Sequence, residues 1–181
     1  EVVAGYTIAI RIIIFVLLPS WGMANAAATL VGQNLGANEP ARAERSAWTI
    51  GGINMLLLGV VSVFFIAVPQ AFVGFFIESD VTPVVWESAI TCLRVVSFGF
   101  IIYALGMVMI QSINGAGDTA TPVWLNLIAF WAVEIPLAYI LTHTFETGIY
   151  GVCYAIIIAE SLYAIMAMLI FRRGRWKLKK V

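Results

Sequence analysis

Long intervals without a charged residue dominate this sequence. No Asp, Glu, Lys or Arg lies between Arg11 and Glu39, between Arg45 and Glu78, or between Arg94 and Asp118. Each interval is longer than the roughly 20 residues that cross a hydrocarbon core about 30 Å thick as an α-helix. Charged residues make up only 11% of the chain, whereas a soluble domain carries about 25%. The sequence therefore predicts an all-α, polytopic transmembrane helical bundle.

Few polar motifs compete with this interpretation. Cys92 and Cys153 both fall within apolar runs, which is typical of small buried side chains rather than of a disulfide or a metal pair. The single histidine, His143, has no Cys or His cluster around it in the sequence, so we expect no metal site. The sequence contains no P-loop and no dinucleotide-binding glycine motif. We therefore expect no cofactor, no nucleotide-driven chemistry and no nucleic-acid partner.

Five apolar segments separated by polar, Gly- or Pro-containing turns predict five membrane spans. Their expected bounds are residues 6–35, 47–75, 84–113, 121–141 and 149–171. Pro19 lies near the middle of the first span and Pro136 lies within the fourth. Because proline removes a backbone N–H and clashes with the preceding turn, we expect a kink at each of these positions.

Basic residues orient the bundle, because cytoplasmic loops of membrane proteins are enriched in Lys and Arg. Residues 172–181 are dense in both, so we expect this tail to be cytoplasmic. The loops that hold Glu146 and Glu78 contain no Lys or Arg and are expected outside, whereas the loop with Arg42 and Arg45 is expected inside. The N-terminus is then outside. Since the chain starts without Met or a signal peptide, we expect at least one membrane-spanning helix upstream of it.

Three stretches carry a resemblance to a known family. They are AAATLVGQNLGA at residues 26–37, QSINGAGDTATP at residues 111–122, and EIPLAYIL at residues 134–141 followed by GIYGV at residues 148–152. In order and spacing they resemble the multidrug and toxic compound extrusion (MATE) transporters. The resemblance covers nearly the whole chain.

The resemblance implies a fold and a function. The family has two six-helix lobes around a central cavity, so this chain would supply helices eight to twelve of twelve. The N-terminal lobe and one helix of the second lobe would be missing. The implied function is a secondary active transporter, not an enzyme, in the plasma (inner) membrane. It would export amphipathic or cationic compounds by alternating access, driven by Na⁺ or H⁺, with membrane lipid and the N-terminal lobe as partners.

Four charged residues that lie well inside the predicted spans are the candidate site. They are Arg11, Arg94, Glu134 and Glu160. A charge at a helix centre costs about 2.5–3.5 kcal/mol on insertion scales, so such residues face the bundle interior or a water-filled cavity. All are expected in the outer half to the middle of the membrane. Two alternatives stay open: a structural network in which the arginines pair with the glutamates, or a proton or cation site on one or both glutamates.

Glu134 and Asp118 are two candidate positions for cation binding or coupling. Glu134 precedes Pro136, whose missing N–H frees the carbonyl of Ala132, and a carboxylate beside free carbonyls suits a cation. Asp118 either caps the helix that begins near Thr121 or, as the resemblance implies, takes part in cation coupling.

The family-like loops also contain glycines and two amides. Gly115 and Gly117 are expected to permit a tight turn, and Gly32 and Gly36 are expected to allow close helix packing. Gln33 and the adjacent Asn34 are expected to form hydrogen bonds to a neighbouring helix.

Two rival functions remain. A lipid-linked oligosaccharide flippase of the same superfamily shares the two-lobe architecture, but we expect a more basic cavity in such a protein. A non-transporting membrane scaffold has no need of buried carboxylates.

Overall fold

The computed structural model describes residues 1–77, 81–145 and 147–178. Glu78, Asp80 and Glu146 of the predicted outer loops, and residues 179–181 of the tail, lie outside the described residues. Within the described part, every regular element is a helix. The α-helices are α1 (Val2–Gly36), α2 (Pro40–Ala67), α3 (Pro69–Phe76), α4 (Pro83–Ser97), α5 (Phe100–Gly115), α6 (Ala120–Asn126), α7 (Ile135–His143) and α8 (Ile149–Arg172).

Four helical segments of the described chain are long and apolar enough to cross a membrane, and a fifth span forms if the bent pair α4–α5 is counted as one. The four are α1, α2, the continuous segment Ala120–His143 and α8. The predicted all-α, polytopic transmembrane bundle is therefore confirmed. Helix α5 lies at its centre, in contact with α1, α2 and α8.

The second span differs from its predicted bounds at both ends. Helix α2 begins at Pro40 rather than near residue 47, because proline suits the first helical position and the Ala-, Arg- and Glu-containing segment after it forms helix readily. It ends at Ala67, and α3 begins at Pro69. A proline two residues on cannot continue the hydrogen-bonding pattern of α2, so one predicted span becomes two helices.

The third span contains a sharp bend that the sequence analysis did not predict. The axes of α4 and α5 differ by 57°, and the break lies between Ser97 and Phe100. Sharp kinks occur at Gly/Ser pairs, and Gly99 with Ser97 supplies one. The Ser62 hydroxyl of α2 donates a hydrogen bond of 2.7 Å to the carbonyl of Ser97, which satisfies one of the last carbonyls of α4.

The two prolines expected to kink their spans have different surroundings. Pro19 lies inside α1, which is assigned as one helix from Val2 to Gly36. Pro136 follows a π-helical stretch at Leu127–Glu134, which joins α6 to α7. A π-helix is wider than an α-helix and is frequent at functional sites. The irregularity expected at Pro136 therefore takes the form of a widened helix that ends on Glu134.

The glycines of the family-like loops have separate roles. Gly115 packs against the backbone of Ala28 in α1 so closely that a Cβ would overlap it, and a Cβ on Gly32 would lie 2.9 Å from the Gly115 carbonyl oxygen. Gly117 forms the turn, with φ at +83°. Gly36 has no atom within 4 Å of a Cβ position. Gly115 thus serves helix packing rather than the turn expected of it, and Gly36 does not serve packing.

The end of the chain folds back onto the bundle. Trp176 lies in a 3-10 turn at Arg175–Leu178, is only 2% exposed, and stacks on Phe171 of α8 with 4.6 Å between ring centroids. Lys177 forms a salt bridge of 2.6 Å to Glu44 in α2. The predicted basic tail is therefore, in its described part, packed against the end of the bundle.

Candidate functional site

Glu134 and Glu160 line one cavity, which we call the carboxylate cavity. Its volume is about 240 Å³, and it lies beside the bend between α4 and α5. The lining residues are Ile10, Ile13, Ile14, Leu17, Val96, Gly99, Phe100, Tyr103, Glu134, Ile156, Ile157 and Glu160. Apart from the two carboxylates and the Tyr103 hydroxyl, the side chains of this wall are apolar. The structure therefore brings together the two glutamates that the sequence analysis singled out.

The elements around the cavity explain this placement. Glu134 is the last residue of the π-helical stretch, and Glu160 lies near the middle of α8. Both the π-helical stretch and α7 pack against α8. The bend at Gly99 places the start of α5 over the same space, with Phe100 and Tyr103 in the wall.

One carboxylate oxygen has no partner in the described structure. Oε2 of Glu160 is enclosed and receives no hydrogen bond from any described residue. A buried polar atom without a hydrogen bond is costly, and an ionised carboxylate is more so. Glu160 therefore presents an enclosed oxygen without a donor from the described residues at the wall of the carboxylate cavity.

A second cavity adjoins the first and is called here the aromatic cavity. It measures about 360 Å³. It is lined by Trp21, Asn25, Tyr103, Met107, Ile110, Gln111, Asn126, Phe130, Glu160 and Tyr163. Glu160 and Tyr103 line both cavities. Aromatic rings, amides and one carboxylate make a wall suited to an amphipathic molecule.

Sequence analysis missed Tyr103 and the boundary it forms between the cavities. Among the described residues, only Tyr103 and Glu160 line both the carboxylate cavity and the aromatic cavity. The break between Ser97 and Phe100, which the structure shows, precedes Tyr103 by about one helical turn. Without the break, nothing distinguishes Tyr103 from the other aromatic residues of the span.

The alternative in which the arginines pair with these glutamates is not seen among the described residues. Arg11 and Arg94 are both exposed on this chain. Between described residues the recorded salt bridge is that of Lys177 with Glu44. The physical reason is the helix face. The side chains that α1 and α4 contribute to the carboxylate cavity include Ile10, Ile13 and Val96, and neither arginine is among its lining residues.

Asp118 lies apart from the carboxylate cavity. It follows Gly117 in the turn between α5 and α6, where it accepts a hydrogen bond of 2.8 Å from the Thr121 hydroxyl and one of 3.4 Å from the Thr121 N–H. It lines a different cavity, of about 210 Å³, with Arg173 and Arg175. The structure thus does not bring Asp118 together with the two glutamates.

Of the two amides expected to bond to a neighbouring helix, Asn34 does so and Gln33 does not. Gln33 is exposed and has no hydrogen bond recorded among the described residues. Asn34 donates one of 3.4 Å to the Ser46 hydroxyl of α2. The geometry at the end of α1 therefore directs Asn34, not Gln33, towards the neighbouring helix.

Comparison with known proteins agrees with the fold and the motifs. The chain is 23% identical to the probable multidrug resistance protein NorM of Thermotoga maritima, over all of this chain and 38% of that protein. It is 27% identical to the protein of the same name from Caulobacter vibrioides, over 98% of this chain and 37% of that protein. The chain thus spans less than two fifths of the length of these relatives.

Solved structures share the fold. A MOP superfamily transporter from Pyrococcus furiosus matches 99% of this chain with a TM-score of 0.90 and 24% identity, over 40% of its own length. The MATE transporter ClbM in complex with Rb⁺ matches 99% of this chain with a TM-score of 0.86 and 22% identity, over 42% of its own length. The MatE family profile matches residues 1–140. This chain therefore belongs to the MatE family, whose members are membrane transporters and not enzymes.

Proposed function

We propose that this chain forms most of the second lobe of a secondary transporter, which exports amphipathic or cationic compounds by alternating access in exchange for Na⁺ or H⁺. The observation that carries the proposal is the shared position of Glu134 and Glu160 in an otherwise apolar cavity. Two carboxylates without an arginine partner attract a proton or a metal cation. Carboxylates within membrane spans typically mark such ion pathways.

The enclosed Oε2 of Glu160 supports an exchangeable occupant. A carboxylate that was already satisfied by protein donors would gain little from a cation or a proton. One structure of the same fold, that of ClbM, is a complex with Rb⁺, which supports a cation site in this architecture. We assign Glu134 and Glu160 as the coupling residues.

The aromatic cavity supports the substrate class. Trp21, Phe130 and Tyr163 offer ring faces, which attract organic cations, and three amides offer hydrogen bonds. Because Glu160 lines both cavities, an ion on one side and a substrate on the other act on the same carboxylate. Competition at Glu160 is therefore the physical basis that we propose for coupling between the two ligands.

The complete transporter needs a second lobe opposite this one. We propose that an N-terminal lobe closes the aromatic cavity, and that the protein lies in the plasma (inner) membrane with residues 172–181 on the cytoplasmic side. That orientation is based on the Lys- and Arg-rich tail and on the absence of Lys and Arg from residues 77–83 and 144–148.

The flippase alternative is less consistent with the charges. The Pyrococcus furiosus transporter, whose binding pocket is described as reversed in polarity and suggestive of a different function, has this fold as well, so the fold does not choose between functions. The cavities here contain Glu134 and Glu160 and no described Lys or Arg. An anionic lipid-linked substrate would be repelled by both.

The deciding experiment measures transport by the full-length protein in proteoliposomes. A fluorescent organic cation is the substrate, and a Na⁺ gradient or a pH gradient is imposed separately. We expect one gradient to drive substrate movement in the wild type, and Glu160→Gln to abolish that dependence. Glu87→Gln serves as the matched control, because Glu87 is an exposed glutamate on α4.

Failure of both gradients to drive transport would overturn the antiport mechanism. Equal gradient dependence in wild type and Glu160→Gln would overturn the assignment of the coupling residue. Movement of a lipid-linked oligosaccharide, without either gradient, would favour the flippase instead.

A further inference from the structure

Two cysteines that the proposed transport mechanism does not use lie in direct contact. Cys92 of α4 and Cys153 of α8 have their sulfur atoms 2.7 Å apart, and both side chains are 0% exposed. Both thiols are free. They are the two cysteines of the chain, and the fold brings them together from positions 61 residues apart.

Their geometry suits a disulfide. A disulfide bond is about 2.05 Å long, so the two sulfurs need to approach by less than about 1 Å. A metal site is less consistent with the surroundings, because no group of three His, Cys, Asp or Glu side chains that could hold a metal occurs among the described residues. Both cysteines belong to a buried cluster of hydrophobic side chains that also contains Ala89 and Val96, and Tyr6 packs against this cluster.

Both cysteines lie within membrane spans, in the half of the membrane nearer to the side that we assign to the outside. Cys92 lies in α4, which follows the loop at residues 77–83, and Cys153 lies near the start of α8, which follows the loop at residues 144–148. Neither loop contains Lys or Arg, which predicts an outer location for both. Disulfides form and persist outside the cytoplasm, where thiols are not kept reduced.

We propose that Cys92 and Cys153 are an oxidation site, at which a reversible disulfide fastens α4 to α8. The oxidant is a disulfide compound. One thiolate attacks it and releases a thiol, and the second cysteine then attacks the mixed disulfide and releases the other thiol. One S–S bond forms in the protein and one is broken in the oxidant, and the two protons of the cysteine thiols pass to the two thiols released.

The disulfide restrains an element beside the carboxylate cavity. Helix α4 is one limb of the bent pair whose axes differ by 57°, and its Val96 lines the cavity together with Glu160 of α8. Cys153 lies two helical turns before Glu160 on the same helix. Oxidation therefore fixes α4 against the helix that carries a coupling carboxylate, and we expect transport to slow by several fold.

The test reads the bond directly in the full-length protein in membranes. The protein is treated with the disulfide oxidant dithiodipyridine, at rest and during transport, so that both arrangements of α4 and α8 are sampled. It is then denatured in the presence of a maleimide reagent that labels the remaining free thiols, digested and analysed by mass spectrometry. We expect a peptide pair joined through Cys92 and Cys153 that separates on reduction.

The variants Cys92→Ser and Cys153→Ser are matched controls, since each leaves one thiol that cannot form this bond. We expect oxidation to slow wild-type transport, reduction to restore it, and both variants to be unaffected. Maleimide labelling of both wild-type cysteines after oxidation in either condition would overturn the proposal, as would an adduct of the oxidant on each cysteine without a joined peptide. The joined peptide is detected without measuring transport. Its presence or absence therefore tests the disulfide independently of the proposed function.

Discussion

Glu160 of α8 lines both the carboxylate cavity and the aromatic cavity, whereas Glu134 lines the carboxylate cavity and not the aromatic one. The two glutamates are therefore not equivalent. A ligand in the aromatic cavity can contact Glu160 directly and reaches Glu134 only through the carboxylate cavity.

This asymmetry predicts different effects of neutralising each glutamate. Glu134→Gln should weaken binding of the coupling ion while leaving the affinity for an organic cation unchanged. Glu160→Gln should weaken both by at least about tenfold, or about 1.4 kcal/mol each. Fluorescent substrate binding to the purified full-length protein, titrated with Na⁺ and then with acid, measures both affinities.

Glu87→Gln is the control for this pair, since the residue is exposed on α4 and should change neither affinity. Equal losses of substrate affinity in Glu134→Gln and Glu160→Gln would show that the boundary position of Glu160 has no functional meaning.

Close packing of α1 on α5 predicts a second outcome. A Cβ on Gly115 would overlap the Ala28 backbone, whereas a Cβ on Gly36 meets nothing within 4 Å. Overpacking costs about 1–3 kcal/mol, so Gly115→Ala should lower the apparent melting temperature of the detergent-solubilised protein. Gly36→Ala is the matched control, with an effect within about 0.5 kcal/mol. Similar melting temperatures for the two variants would contradict this packing argument.

The sequence predicted most of the fold and part of the site. Uncharged intervals define the spans, because the membrane excludes charge, and charge inside a span is rare enough to single out Glu134 and Glu160. The sequence could not decide whether Arg11 and Arg94 pair with the glutamates, because depth along a helix does not say which way a side chain points. The packing of the helices decides which side chains face the interior. The same packing brings Cys92 into contact with Cys153, although the two are 61 residues apart in the sequence.

The bend between α4 and α5 shows a second limit. The Ser–Phe–Gly sequence at residues 97–99 permits a kink, but nothing in it requires a 57° change of direction. The bend depends on Ser62 from another helix, whose hydroxyl binds the Ser97 carbonyl. Such a contact between helices is not visible in the local sequence.

The folded-back C-terminal segment gives a third prediction. Trp176 is buried and donates a hydrogen bond of 2.8 Å from its indole N–H to the Phe171 carbonyl. Its indole also stacks on the Phe171 ring. Trp176→Ala should therefore cost about 3–5 kcal/mol of local stability. The salt bridge of Lys177 to Glu44 is about one third exposed on both sides, so Lys177→Ala should cost less than about 1 kcal/mol.

Hydrogen exchange at residues 172–178 measures this difference. We expect the amides of the segment to lose protection in Trp176→Ala and to keep nearly all of it in Lys177→Ala. The reverse order would show that the salt bridge, and not the indole, holds the segment.

Substitutions of Asp118 distinguish a structural role of this residue from a role in ion coupling. Its carboxylate accepts hydrogen bonds from the hydroxyl and the N–H of Thr121, so Asp118→Ala should cost about 0.5–2 kcal/mol, as for loss of a helix cap. Asp118→Asn keeps an acceptor oxygen for the bonds from Thr121 but loses the charge in the cavity shared with Arg173 and Arg175, so it should lose less stability than Asp118→Ala. Because Asp118 does not line the carboxylate cavity, Asp118→Asn should also retain gradient-driven transport. Normal stability with loss of ion-driven transport in Asp118→Asn would instead show that the charge itself is needed, and would return Asp118 to the coupling residues beside Glu134 and Glu160.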